Sequence, residues 1–141
     1  LPALIRRFYE AKRDSITEVV CWDSGKPKRD FLHVDDLGDS CIFLLENWDP
    51  KEVNAPKDYN GIPLAIMNVG SGEDISIKTL AEIIAEATEY KGSIIWDKTK
   101  PDGHPRKQVD ISQITKLGWK PNINLEQMCN TMLKQLKKDL V

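Results

Sequence analysis

Apolar residues recur at helical spacing from the start of the chain. Leu4, Ile5, Phe8 and Tyr9 mark one face, and Arg6, Arg7, Lys12 and Arg13 fill much of the rest. Pro2 suits a first helical turn, where its missing N–H costs little. The spacing predicts a helix over 2–13. Val19-Val20-Cys21-Trp22 reads as a short apolar strand, and Asp23-Ser24-Gly25-Lys26-Pro27 as a turn. Lys28 to Val34 alternates, placing Arg29, Phe31 and His33 on one face of a second strand, with Phe31 and His33 as its packing residues. The two strands are expected to pair as a hairpin.

Asp35-Asp36 can cap a helix and favour its positive end. Leu37, Cys41, Leu44, Leu45 and Trp48 mark that helix's predicted buried stripe. Residues 49–63 carry Pro50, Pro56, Gly61 and Pro63 and read as a loop. Leu64 to Val69 is a nearly continuous apolar run of the kind buried in a parallel sheet, ended by Gly70-Ser71-Gly72. Ser76 caps a predicted helix carrying Ile77, Leu80, Ile83, Ile84 and Ala87, and Ile94-Ile95-Trp96 reads as a strand. Residues 98–107 form a loop without a core signal. A short helix near 112–117 ends at Gly118. Asn124 and Gln127 resemble a capping box, opening a last helix with Leu125, Met128, Cys129, Met132, Leu133, Leu136 and Leu140 on one face. The alternating order predicts an α/β fold around one core, a single domain over 1–141.

Composition narrows the function classes. The 141 residues are 40% hydrophobic and 30% charged, which argues against wholesale disorder. A formal net charge of −2 speaks against a general nucleic-acid binder. No apolar run approaches the ~18 residues of a membrane span. Cys21, Cys41 and Cys129 stand far apart, which supports neither a disulfide framework nor a zinc site. They read as reduced core thiols of a cytoplasmic protein. His33 and His104 have no nearby Cys or His, so no metal site is expected. A start on Leu1 rather than Met predicts a segment of a longer protein.

Several catalytic patterns fail. Gly70-Ser71-Gly72 has Ile75 where a dinucleotide fingerprint needs a glycine, so a tight turn is the better reading. There is no Gly-x-Ser-x-Gly elbow. Four residues beyond Tyr9, Tyr59 and Tyr90 lie Arg13, Pro63 and Ile94, so no Tyr-x-x-x-Lys pair exists. The more informative feature is basic residues beside rings and glycines. Trp22 precedes a Gly-Lys-Pro turn and Arg29 follows it, while Lys100, Arg106 and Lys107 bracket Pro101-Asp102-Gly103. Arginine forks suit phosphate oxygens, and a carboxylate such as that of Asp102 accepts from ribose hydroxyls or a base edge. These are parts of a nucleoside diphosphate pocket. Composition alone favours a plainer reading, a solvated loop and an edge arginine paired with an acid.

The stretches 1–8 and 20–36, with Asn68 to Gly72 and Leu117-Gly118-Trp119-Lys120-Pro121, resemble the extended short-chain dehydrogenase/reductase superfamily. Lys100-Pro101-Asp102-Gly103-His104-Pro105-Arg106-Lys107 is similar to the loop of its GDP-L-fucose synthase family. The resemblance runs over essentially the whole chain, in order. It implies the C-terminal, substrate-binding portion of a Rossmann-like NAD(P)-binding enzyme, without the glycine-rich cofactor half. That family epimerises GDP-4-keto-6-deoxy-D-mannose at C3 and C5, then reduces C4 with NADPH. The resemblance implies GDP-sugar contacts at Arg7, Trp22, Arg29 and Asp102, with Lys107 a weaker candidate. It implies no catalytic residue here, NADP bound elsewhere, catalytic residues upstream of Leu1, and a homodimer formed through an absent N-terminal part. Two rivals stand beside it: the substrate part of another nucleotide-sugar epimerase or dehydratase, and a non-catalytic interaction module with the same fold.

Overall fold

The computed structural model describes residues 1–139; Leu140, expected on the face of the last helix, lies outside the described residues. The chain divides into two compact units. One gathers residues 1–29, 74–107 and the described part of 124–141, and the other residues 30–73 and 108–123.

The first unit is built on helix α1 (Pro2–Arg13), strand β1 (Glu18–Trp22), helix α3 (Ile77–Thr88), strand β4 (Ser93–Asp97) and helix α5 (Leu125–Asp139). β1 and β4 pair in parallel, Val19 against Ile94 and Cys21 against Trp96. Ile5, Phe8 and Ala11 recur every three residues on α1 and are buried with Val19, Cys21, Leu80, Ala81, Ile84, Met128, Cys129 and Leu133. Burial pushes the Cys21 and Cys129 thiols up, so neither is a ready nucleophile. Phe8 meets Tyr90 edge to face, with ring centroids 5.4 Å apart.

Local capping follows the expected chemistry. Ser76 Oγ accepts from the Thr79 N–H at 3.0 Å and starts α3. Asn124 and Gln127 exchange hydrogen bonds, each 2.9 Å, and start α5.

The Tyr90 hydroxyl is buried with no hydrogen-bond partner among the described residues. An unmade buried hydrogen bond costs about 1–3 kcal/mol. Tyr90→Phe keeps the ring against Phe8 and removes the orphan. Urea unfolding is expected to show no loss of stability and a gain of up to ~1 kcal/mol. A loss larger than that would reveal a partner for the hydroxyl.

A second, three-stranded sheet has the order β3 (Asp74–Ser76), β2 (Lys28–Asp30), β5 (Arg106–Lys107). β2 and β5 run parallel, Lys28 opposite Arg106 and Arg29 opposite Lys107. The expected hairpin is therefore absent: β1 and β2 lie in different sheets. The intervening turn spends its carbonyls elsewhere. Gly25 O accepts from the Lys78 N–H and Pro27 O from the Ile77 N–H, which seats the turn on the N-terminus of α3. Gly25 sits at φ +71°, and a Cβ there would lie 2.8 Å from the Trp96 ring. The loop over 98–107 thus ends in a strand that no hydrophobic pattern announces, because it is held by backbone bonds and both its residues are exposed.

In the second unit the strand expected to reach Val34 stops at Asp30, and helix α2 (Val34–Asn47) begins. His33 is not a strand packing residue. It is the N-cap, its Nδ1 accepting from the Asp35 N–H at 3.1 Å. Asp35 and Asp36 occupy the first turn instead of the cap. The buried face of α2 also differs from the apolar stripe. Asp36 and Ser40 are buried, while Leu37 and Cys41 are exposed and Leu45 is 87% exposed. Burial of these polar groups is tolerated because they are bonded. Asp36 accepts from the N–H groups of Asn122 and Ile123 at 3.1 and 2.9 Å, and Ser40 Oγ donates to Leu37 O at 2.7 Å. Helix α4 (Ser112–Leu117) stops at Gly118, as the sequence predicts.

Residues 64–69 form no strand, and Ile66 is 79% exposed. An apolar run becomes a sheet strand only beside a partner that takes its N–H and C=O groups. No described strand pairs with it.

Candidate functional site

All five residues expected to bind substrate fall in the first unit. Trp22 closes β1 and is 67% exposed, so it is not a core aromatic. Lys100 places its ammonium 5.8 Å from the Trp22 ring centroid, within cation–π range. Arg7 reaches from α1 to β1, its Nη1 donating to Val20 O at 2.9 Å. Val20 and Trp22 lie on the same face of the strand, two residues apart.

Arg29 links β2 to the 98–107 loop. Its Nη1 donates to His104 O at 2.8 Å and to Lys28 O at 2.6 Å. Those bonds occupy one corner of the guanidinium fork, and Nε and Nη2 are donors of the same fixed plane. Lys107 stands opposite Arg29 in the parallel ladder and is exposed. Neighbouring cations differ in their engagements: Arg106 pairs with Asp74, and Lys28 lies 3.8 Å from the same carboxylate.

Asp102 is also brought to this cluster, but its carboxylate is engaged. Oδ1 accepts from the Ser24 N–H and Oδ2 from the Ser24 hydroxyl, both at 2.8 Å. These bonds, the backbone one first, hold its carboxyl below the usual range. The contact is therefore present at neutral pH and weakens as pH falls through that lowered value. Asp23 before it lies in the left-handed region at φ +69°, its Oδ1 taking the Gly25 N–H at 2.6 Å. Aspartate tolerates this conformation because its side chain bonds its own turn. The structure thus joins Trp22, Arg29, Asp102 and Lys107 through two stretches about 78 residues apart, with Arg7 anchored on the same strand as Trp22. Ser24 is the participant that residue-type reasoning missed. Its signal was its place in an Asp-Ser-Gly turn, which left its partner unspecified.

The tight turn expected at Gly70-Ser71-Gly72 is held by Asp30. Asp30 Oδ1 accepts from the Ser71 N–H at 3.0 Å and from its hydroxyl. A Cβ on Gly70 would lie 2.6 Å from Asp30 Oδ2. The Asp30 carboxylate thus packs against the turn, which leaves no room for a side chain at position 70.

The NAD dependent epimerase/dehydratase family model matches residues 1–61. The GDP-L-fucose synthase 1 of Arabidopsis thaliana is 47% identical over 125 residues, covering 89% of this chain and 35% of that protein. The GDP-L-fucose synthase of Escherichia coli K12 is 41% identical over 126 residues, 89% of this chain and 38% of its own length. A solved GDP-6-OMe-4-keto-L-xylo-heptose reductase from C. jejuni superposes with a TM-score of 0.84 at 28% identity, over 99% of this chain and 47% of that one. The chain spans about a third of the length of the curated relatives it matches. By these matches the chain is similar, over 89% of its own length, to about a third of GDP-L-fucose synthases, and it shares the α/β fold of the Rossmann-like epimerases and reductases.

Proposed function

We propose that this chain is the C-terminal, substrate-binding part of a GDP-L-fucose synthase and that it grips the GDP handle of the sugar nucleotide. One observation carries the reading: Arg29 and the 98–107 loop, far apart in sequence, meet through the Arg29 bond to His104 O. An arginine fork and lysines beside an exposed indole match a diphosphate joined to a flat base. Arg29 and Arg7 would neutralise the diphosphate, Trp22 would lie against the nucleotide, and Lys107 would add charge at the edge of the loop. Asp102 keeps acceptor capacity beyond its two bonds to Ser24 and would read a hydroxyl or a base edge.

On this reading the chain's share of the reaction is positioning. A ketone at C4 acidifies the hydrogens at C3 and C5, and acid/base groups elsewhere in the enzyme invert both centres. Holding the remote GDP group fixes the sugar against those groups, which converts binding energy into orientation. NADP binding, the catalytic residues and any homodimer contact belong to parts of the enzyme outside this chain, so the chain alone turns over nothing. Its compartment is the cytoplasm, where the three free thiols stay reduced.

A second reading is the same cradle serving another GDP-sugar, favoured by the fold shared with the heptose reductase. Base selectivity separates the GDP readings from other nucleotide-sugar enzymes. Calorimetric titration is expected to give heat with GDP and weaker or no binding with UDP and dTDP. Equal affinity for all three would remove the guanosine assignment, and no binding to any would favour an interaction module.

A further inference from the structure

We infer that Ser24 is a positioning residue: with Asp102 it latches the 98–105 loop onto the turn after β1, setting Trp22 and Arg29 for a nucleoside diphosphate. This rests on the proposed function of the same site.

The loop has anchors at both ends. Asp97 O accepts from the Lys100 N–H, and Asp97 Oδ1 from the Thr99 N–H and hydroxyl. At the other end, Pro105 O accepts from the Lys28 N–H and His104 O from Arg29. Between them, Pro101, Asp102 and Gly103 are exposed. This middle is tied down by the pair of bonds from Ser24 to the two Asp102 oxygens. The receiving turn is itself fixed. Asp23 and Gly25 flank Ser24 in the left-handed region, and the Lys26 N–H donates to Ser24 Oγ at 3.3 Å.

Lys100 over Trp22 and His104 against Arg29 are both carried by this loop. A loop free in its middle would sample geometries in which ring and guanidinium are out of register. Ordering it before binding saves that entropy at the moment of binding. Ser24 acts through Asp102 and need not touch the ligand.

The test uses five chains: parent, Ser24→Ala, Ser24→Thr, Asp102→Ala and the Ser24→Ala/Asp102→Ala double variant, each titrated with GDP and followed by amide hydrogen exchange without nucleotide. Ser24→Ala is expected to bind GDP about five- to tenfold more weakly, within the net worth of one ordinary hydrogen bond, the Ser24 N–H contact to Asp102 being kept. Ser24→Thr keeps the hydroxyl and returns affinity to within about twofold. Asp102→Ala loses both bonds, binds more weakly still, and speeds exchange at Ser24 and over 102–104. Adding Ser24→Ala to Asp102→Ala changes nothing further, since the shared contact is already gone. Unfolding midpoints close to the parent's separate positioning from a general loss of fold. Parent binding with Ser24→Ala unaffected, or with Ser24→Thr no better than Ser24→Ala, overturns the inference and leaves the proposed function standing. A parent chain that ignores GDP overturns the proposed function, and the positioning role with it.

Discussion

Arg29→Ala is expected to weaken GDP binding by about ten- to a hundredfold. Hydrogen bonds to charged groups are worth about 1.5–3 kcal/mol each, and the fork offers its donors in one plane to two oxygens at once. The same guanidinium bonds to His104 O at 2.8 Å, so truncation would remove the proposed diphosphate contact and also loosen the loop that carries Lys100. Arg29→Lys separates the two effects. It keeps the charge but not the planar fork, so binding should recover only in part. Raising salt should shrink the difference between parent and Arg29→Ala, because part of it is Coulombic attraction to a diphosphate. Calorimetry at two ionic strengths reads both quantities. Affinity within about twofold of the parent at low salt would mean that Arg29 does not face the phosphates.

The largest stability effect is expected at Phe8. Its side chain is 0% exposed, it lies between Ile5 and Ala11 on the buried face of α1, and its ring meets Tyr90 edge to face. Deleting a buried phenyl removes transfer free energy and leaves a cavity, about 3–5 kcal/mol together. Whole domains are stable by only about 5–15 kcal/mol, so Phe8→Ala takes a large fraction of the total. Phe8→Leu fills most of the volume and should cost much less, which keeps the measurement possible if the alanine variant does not fold. Guanidinium unfolding of both variants reads the difference. A loss below ~1 kcal/mol for Phe8→Ala would mean that α1 is not held by this residue.

What was legible in the sequence was whatever closes over a few residues. Pro2 opening α1, Ser76 capping α3, the Asn124–Gln127 exchange opening α5 and Gly118 ending α4 are each contained within one turn of chain. The buried face of α1 follows from its spacing. The hairpin failed because a turn signal says that the chain bends, not which strand it meets afterwards. The α2 stripe failed because Asp36 and Ser40 are buried by bonds that residue type does not announce, Asp36 through backbone donors 86 and 87 residues away. Residues 64–69 failed because an apolar run specifies a wish to be covered and not the presence of a neighbour.

The candidate site divides along the same line. Arg7, Trp22, Arg29, Asp102 and Lys107 were nameable one by one from residue chemistry and resemblance. Their association was not. Ser24 escaped notice because serine in a polar turn is ordinary until a carboxylate arrives from 78 residues away.

The sequence by itself determined the helices, the caps of α3 and α5 and the kind of groups available for a nucleotide. Only the tertiary structure decided which strands share a sheet, that Asp36 is buried on backbone donors 86 and 87 residues away, and that Asp102 closes on Ser24. The reason is physical. Side-chain periodicity and capping are set by interactions a few residues long, whereas a backbone ladder or a buried carboxylate takes its partner from whatever the folded chain brings within 3 Å.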